Sequence, residues 1–124
     1  MLSILIPTYN YNVFPLASQL EKQALDANII FEIICFDDGS KSELNTENEK
    51  INLLKNSRFK SLKQNIGRSA VRNLLAKEAQ YKWLLFLDAD TFPVKSDFIK
   101  NNIALFDYNK TIFCGGLSYQ KKEE

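Results

Sequence analysis

Histidine is absent from all 124 residues. Its absence excludes Ser-His-Asp and Cys-His catalysis, histidine general bases and every histidine-ligated metal site. Cysteine occurs twice, as Cys35 and Cys114, far apart and each inside an apolar run. Two isolated thiols with no C-x-x-C cannot build a zinc site by themselves. They read as small core residues of a protein kept in reducing surroundings. Glycine occurs four times, at Gly39, Gly67, Gly115 and Gly116. That placement contains neither G-x-G-x-x-G nor G-x-x-x-x-G-K-[ST], so a nicotinamide dinucleotide cradle and a P-loop are both excluded. Neither sign of charge dominates: sixteen Lys and Arg against fifteen Asp and Glu leave +1. A nucleic-acid footprint needs a basic excess, so nucleic acid is not an expected partner. No run approaches the ~20 apolar residues of a membrane span. Met1–Ile6 has no basic region and too short an apolar run for a signal peptide. The expectation is a cytoplasmic chain with no transmembrane segment.

What is present is the composition of one globular domain. Apolar residues make up 45% and charged residues 25%, enough for a core and too apolar for disorder. Four apolar runs read as strands: Ser3–Pro7, Ile29–Phe36, Trp83–Leu87 and Thr111–Leu117. Each is short and continuous rather than alternating, the mark of a parallel sheet covered on both faces. A weaker strand is expected near Phe59–Leu62. Helical spacing falls between the runs. Val13, Leu16, Ala17, Leu20 and Ala24 share one face, with Pro15 tolerable in the first turn. Ala70, Val71, Leu74, Leu75 and Ala79 mark a second helix. Ile99, Ile103 and Phe106 mark a third, with Ser96 as its N-cap. Leu44, Ile51 and Leu54 allow only a poor helix, interrupted by polar residues. The order β-α-β-α-β-α-β-α-β predicts an α/β fold with a mostly parallel sheet between helices.

In such sheets the ligand crevice lies at the carboxyl ends of the strands. The residues there are Thr8-Tyr9-Asn10, Asp37-Asp38-Gly39-Ser40 and Asp88-Ala89-Asp90. Two of the three carry paired carboxylates. Asp88 and Asp90 stand at i and i+2, which in a strand puts both on one face while Ala89 keeps the other side small. Carboxylates directly after five apolar residues are costly unless a cation or donor meets them. Mg2+ or Mn2+ suits the pair, since each takes one or two carboxylates and fills its shell with phosphate and water. D-x-D taken alone also reads as a turn that caps the next segment. Asp37 and Asp38 can accept hydrogen bonds from a base or ribose, or can belong to a plain Asp-Gly turn. Arg68 and Arg72 stand at i, i+4 near a helix N-terminus, against its dipole. They anchor a diphosphate or are exposed surface arginines.

Four motifs in this order resemble the family 2 glycosyltransferases with the GT-A fold, a Rossmann-like nucleotide-diphospho-sugar transferase fold. They are Ser3-Ile4-Leu5-Ile6-Pro7-Thr8-Tyr9-Asn10, Ile33 to Ser40 ending in D-D-G-S, Asn65-Ile66-Gly67 to Arg72-Asn73, and Leu85-Phe86-Leu87-Asp88-Ala89-Asp90. The resemblance implies that Pro7, Thr8 and Tyr9 line the base and ribose pocket, and that Asp37 and Asp38 contact base or ribose. It implies that Gly67 lets the backbone approach the nucleotide and that Arg72 supports the nucleotide or its phosphates. Asp88 and Ala89 would reach the ribose or sugar side, and Asp90, with Asp88, would hold Mn2+ or Mg2+. The implied donor is a nucleoside diphosphate sugar, a UDP-sugar first, and the implied acceptor is a glycan or lipid-linked hydroxyl. The implied setting is polysaccharide or glycoconjugate synthesis, peripheral to the inner membrane face in a full-length protein.

Residues 1–118 are expected to be the donor-binding part of the domain, with a polar tail over 119–124. The family's acceptor-side acidic base has no counterpart here, since Asp97 and Asp107 read as helix-terminal surface residues. The isolated chain is therefore expected to bind donor and transfer sugar poorly or not at all. Two rival readings stay open. One is a nucleotidyltransferase, which would want a glycine-rich basic loop that Pro7–Asn12 does not offer. The other is a non-catalytic nucleotide-sugar-binding module.

Overall fold

The structure, a computed structural model, describes residues 1–103 and the backbone of the strand Ile112–Phe113. Five parallel strands form one sheet: β1 (Leu2–Thr8), β2 (Phe31–Asp37), β3 (Ser57–Ser61), β4 (Trp83–Phe86) and β5 (Ile112–Phe113). Their order is β3-β2-β1-β4-β5. The chain thus works outward from β1 to β3, then returns to the other side of β1. That reversal lies between β1 and β4, where Leu2 pairs with Trp83 and Leu5 with Phe86.

The continuous apolar runs are buried on both faces because side chains alternate along each strand. Leu2, Ile4, Ile6, Phe31, Ile33, Cys35 and Leu85 face one core, and Leu5, Ile34, Phe36 and Phe86 face the other. The first core is closed by α1 (Phe14–Asp26), which buries Leu16, Ala17, Leu20 and Ala24 and carries Pro15 in its first turn. The second is closed by α3 (Arg68–Glu78), through Val71 and Leu75. β3 is the weak strand because it is an edge, with only Phe59 buried.

Two helices depart from expectation. The poor pattern around Leu44–Leu54 folds as one short α-helical turn, α2 (Asn45–Asn48), running into a 3-10 helix, Glu49–Leu53. Only Ile51 reaches full burial in that 3-10 segment, too little apolar surface to hold a longer helix. The last helix, α4 (Phe98–Ile103), starts after Asp97, whose carbonyl accepts from the Asn101 N–H at 2.9 Å. Ser96 therefore stands one residue before the capping position. Buried Gln23 secures this segment: its side chain donates to the Lys95 carbonyl and accepts from the Ile99 N–H, each at 3.0 Å. The expected extensions to Phe106 and Leu117, and Cys114, Gly115, Gly116, Asp107 and the polar tail, lie outside the described residues. No helix among the described residues is long and apolar enough to cross a membrane.

Cys35 is free and fully buried. Burial pushes its thiol up from the ordinary value of 9.0, because a thiolate there would lose its hydration. Above about pH 9 an unfolded chain gives up this proton while the folded chain keeps it. Stability should therefore fall with rising pH in that range, by about 1.4 kcal/mol per unit from this group. Native alkylation followed by peptide mapping should leave Cys35 unlabelled until denaturant is added. Labelling in the folded chain would contradict its inertness.

Candidate functional site

The carboxyl ends of β1, β2 and β4 are stitched together by main chain. The Asp38 N–H donates to the Thr8 carbonyl at 2.9 Å, and the Leu87 N–H donates to the Leu5 carbonyl at 3.0 Å. Beyond β1 the chain turns at Asn10, which has a φ of 51°. Buried Asn48 holds that turn from beneath. Its side chain donates to the Tyr11 carbonyl and accepts from the Val13 N–H, both at 2.8 Å. Tyr9 and Tyr11 are consequently left at the rim, 57% and 43% exposed.

The two neighbouring aspartates after β2 do different work. Asp37 is fully buried. It accepts from the Ser40 N–H at 2.9 Å, the Ser40 hydroxyl at 2.7 Å, the Asn45 amide at 3.2 Å and the Asn10 N–H at 3.3 Å. All of this is internal loop structure, and Asp37 does not line the pocket described below. Asp38 points the other way. Its Oδ1 accepts from the Ile66 N–H at 2.7 Å, and its Oδ2 from the Gly67 N–H at 3.0 Å and the Asn65 amide at 3.1 Å. It thereby fixes the loop that enters α3.

That loop ends at Gly67, the residue before α3, with a φ of 98°. A Cβ there would meet nothing within 4 Å, so the backbone angle is what calls for glycine. The two arginines of α3 diverge. Arg72 lies over the Phe86 ring at 4.5 Å. Arg68 reaches across to Asp88, with Nη2 at 2.7 Å from Oδ1.

β4 ends at Phe86, so Asp88 and Asp90 leave the sheet before strand alternation can align them. A tight turn does so instead: the Thr91 N–H and hydroxyl both donate to the Asp88 carbonyl, at 3.1 and 2.7 Å. Asp90 is exposed and makes no hydrogen bond or ion pair among the described residues.

These pieces enclose one pocket of about 340 Å³ at the reversal point of the sheet. Pro7, Thr8, Tyr9, Asp38, Asp88, Ala89 and Asp90 all line it. Asp37, Gly67 and Arg72 do not line it. Tyr11, Val71 and Arg68 do; of these only Arg68 stands among the residues the sequence offers as diphosphate anchors. Arg68 carried a signal, its place against the helix dipole, whereas nothing in the spacing singled out Tyr11 or Val71. Three carboxylates and one guanidinium face the space. The net negative lining favours a diphosphate that arrives with a divalent cation over a bare one. The residues fit that role. Asp90 is an unengaged carboxylate beside Asp88, and no cluster of three acidic or sulfur ligands exists among the described residues. Two carboxylates suit a cation that completes its shell with phosphate and water, rather than one caged by protein.

Residues 3–124 match the model of the family described as Glycosyl transferase family 2. An uncharacterized glycosyltransferase of Rickettsia felis is 33% identical over 122 residues, covering 98% of this chain and 20% of that protein. One of Rickettsia conorii is 33% identical over 124 residues, covering 99% and 20%. The chain thus spans about a fifth of the length of these curated relatives. The crystal structure of S. aureus TarS 1–349 in complex with UDP-GlcNAc superposes with a TM-score of 0.70 at 27% identity, over 86% of this chain and 31% of that one. The TarS 1–349 complex with UDP gives 0.66 at 28%, over 86% and 32%.

Proposed function

The chain belongs to glycosyl transferase family 2, with its GT-A fold, and from that premise we propose that its pocket binds a nucleoside diphosphate sugar for transfer to an acceptor hydroxyl. One observation carries the reading: Asp38, Asp88 and Asp90, from two separate strand ends, converge with Arg68 on a single pocket. Its volume falls in the range of small-ligand sites, about 300–1,000 Å³. UDP-GlcNAc in TarS makes a UDP-sugar the first donor to test. Residues 1–118 would serve as the donor-binding part, with a glycan or lipid-linked hydroxyl at the inner membrane face as the acceptor.

The roles follow from position. Tyr9 and Tyr11 offer exposed rings at the rim for the base, since planar rings stack without sequence-specific contacts. Asp38 Oδ1 has one lone-pair site beyond those used by the α3 loop and can accept from base or ribose. Asp90, with Asp88, would hold Mn2+ or Mg2+ against the diphosphate. Such a cation, when bound, neutralises the charge that builds on the leaving diphosphate as the glycosidic bond breaks. Ala89 keeps its stretch of wall low enough for the sugar.

Calorimetric titration with UDP should show binding that tightens roughly tenfold or more when Mn2+ is added. Asp90→Asn should abolish the Mn2+-dependent gain while leaving the metal-free affinity near wild type. If UDP and other nucleoside diphosphates fail to bind with or without Mn2+, the donor-site reading is wrong.

A further inference from the structure

We propose that Arg68 is the diphosphate-binding cation of this pocket and that Asp88 holds it only until donor arrives. The guanidinium then passes from carboxylate to phosphate, and Asp88 becomes available to the divalent cation. This rests on the donor-site reading above.

Four observations carry it. Arg68 is the only cation lining the pocket among the described residues, because Arg72 is placed over Phe86. The Arg68–Asp88 pair is short, at 2.7 Å, yet its side chains are 70% and 43% exposed. An exposed pair of this kind is held weakly against water and salt, so a multiply charged phosphate that accepts two parallel N–H bonds displaces the carboxylate. Arg68 is also the first residue of an 11-residue helix whose N-terminus has no side-chain cap. The first-turn N–H groups add to its positive field. The same pocket contains a further group without a partner: the Thr8 hydroxyl, in a residue only 4% exposed, makes no hydrogen bond. A buried hydroxyl left unpaired calls for a partner, and a ligand atom in this pocket would supply one.

The exchange couples donor to cation. While Arg68 occupies Asp88 Oδ1, the cation has Asp90 and one remaining oxygen. The pocket should therefore bind Mn2+ poorly alone and well with a diphosphate.

The test titrates the full 124-residue chain with UDP, UMP and uridine, each with and without Mn2+, in wild type, Arg68→Gln and Arg68→Lys. Arg68→Gln should weaken UDP about tenfold or more and uridine less than about twofold, with UMP between them. Arg68→Lys should recover part of the loss, since lysine keeps the charge and not the bidentate fork. Without nucleotide, Arg68→Gln should bind Mn2+ about threefold or more tighter, because Asp88 is released. UDP affinity equal to wild type in Arg68→Gln would overturn the assignment and leave the donor site standing. A loss equal for UDP and uridine would also overturn it, as a structural effect. A wild-type chain that binds no UDP at all would end both readings.

Discussion

Replacing Gly39 with alanine should destabilise the fold by about 2–5 kcal/mol. Gly39 sits at a φ of 69°, where an L side chain is strained by about 1–2 kcal/mol. The space is also taken. A Cβ would collide with the Gln64 carbonyl carbon and would stand 2.6 Å from the Asn65 nitrogen. Those atoms are backbone, so no side-chain rotation relieves the contact. Forcing extra atoms into packed structure costs about 1–3 kcal/mol more. The displaced segment is the one that Asp38 grips, at Asn65, Ile66 and Gly67. Nucleotide binding should therefore fall with stability. Urea unfolding of wild type and Gly39→Ala measures the first effect. Gly39→Asn separates the causes, because asparagine tolerates the left-handed angle but still carries a Cβ. It should remain about 2 kcal/mol or more below wild type. A midpoint equal to wild type for Gly39→Asn would mean that the backbone angle alone explains the glycine.

This close approach explains both what the sequence showed and what it hid. A D-D-G-S turn after an apolar run is legible, and so is a ligand crevice at that end of a parallel sheet. The continuous runs around Ile4, Ile33 and Leu85 read correctly as strands buried on both faces, because such runs have no solvent side to alternate with. What cannot be read is where a strand yields to its turn. One residue of difference sends Asp37 into the loop interior and Asp38 to the pocket. The same ambiguity hides behind Asp88 and Asp90. Their shared direction was expected from strand alternation and instead comes from the turn that Thr91 closes. The spacing of Arg68 and Arg72 predicts a common face, but long side chains from one face can seek different partners. A carboxylate across the crevice takes one and an aromatic ring takes the other. Asn48, which holds Tyr11 and Val13 from 37 and 35 residues away, carries no local signal of any kind.

The second large effect should come from Asp38→Asn, which tests folding and binding through one atom. The carboxylate accepts on both oxygens: Oδ1 from the Ile66 N–H, and Oδ2 from the Gly67 N–H and the Asn65 amide. An asparagine offers one oxygen and one NH2 group. Whichever way it flips, a donor faces a donor at the entrance to α3. Hydrogen bonds to charged groups contribute about 1.5–3 kcal/mol each, and an unmet buried N–H adds its desolvation cost. The expected loss is about 2–4 kcal/mol, a large share of the ~5–15 kcal/mol typical of whole domains. Asp37→Asn should cost a similar amount, since Asp37 accepts from Ser40, Asn45 and Asn10. The two variants part company on ligand. At a temperature where both remain folded, Asp38→Asn should weaken UDP about tenfold or more, and Asp37→Asn less than about threefold. The difference follows from geometry, because adjacent aspartates of identical chemistry lie on opposite sides of the loop wall. Equal UDP affinities for the two variants would place the ligand away from Asp38, and the convergence of the strand ends would then serve the fold alone.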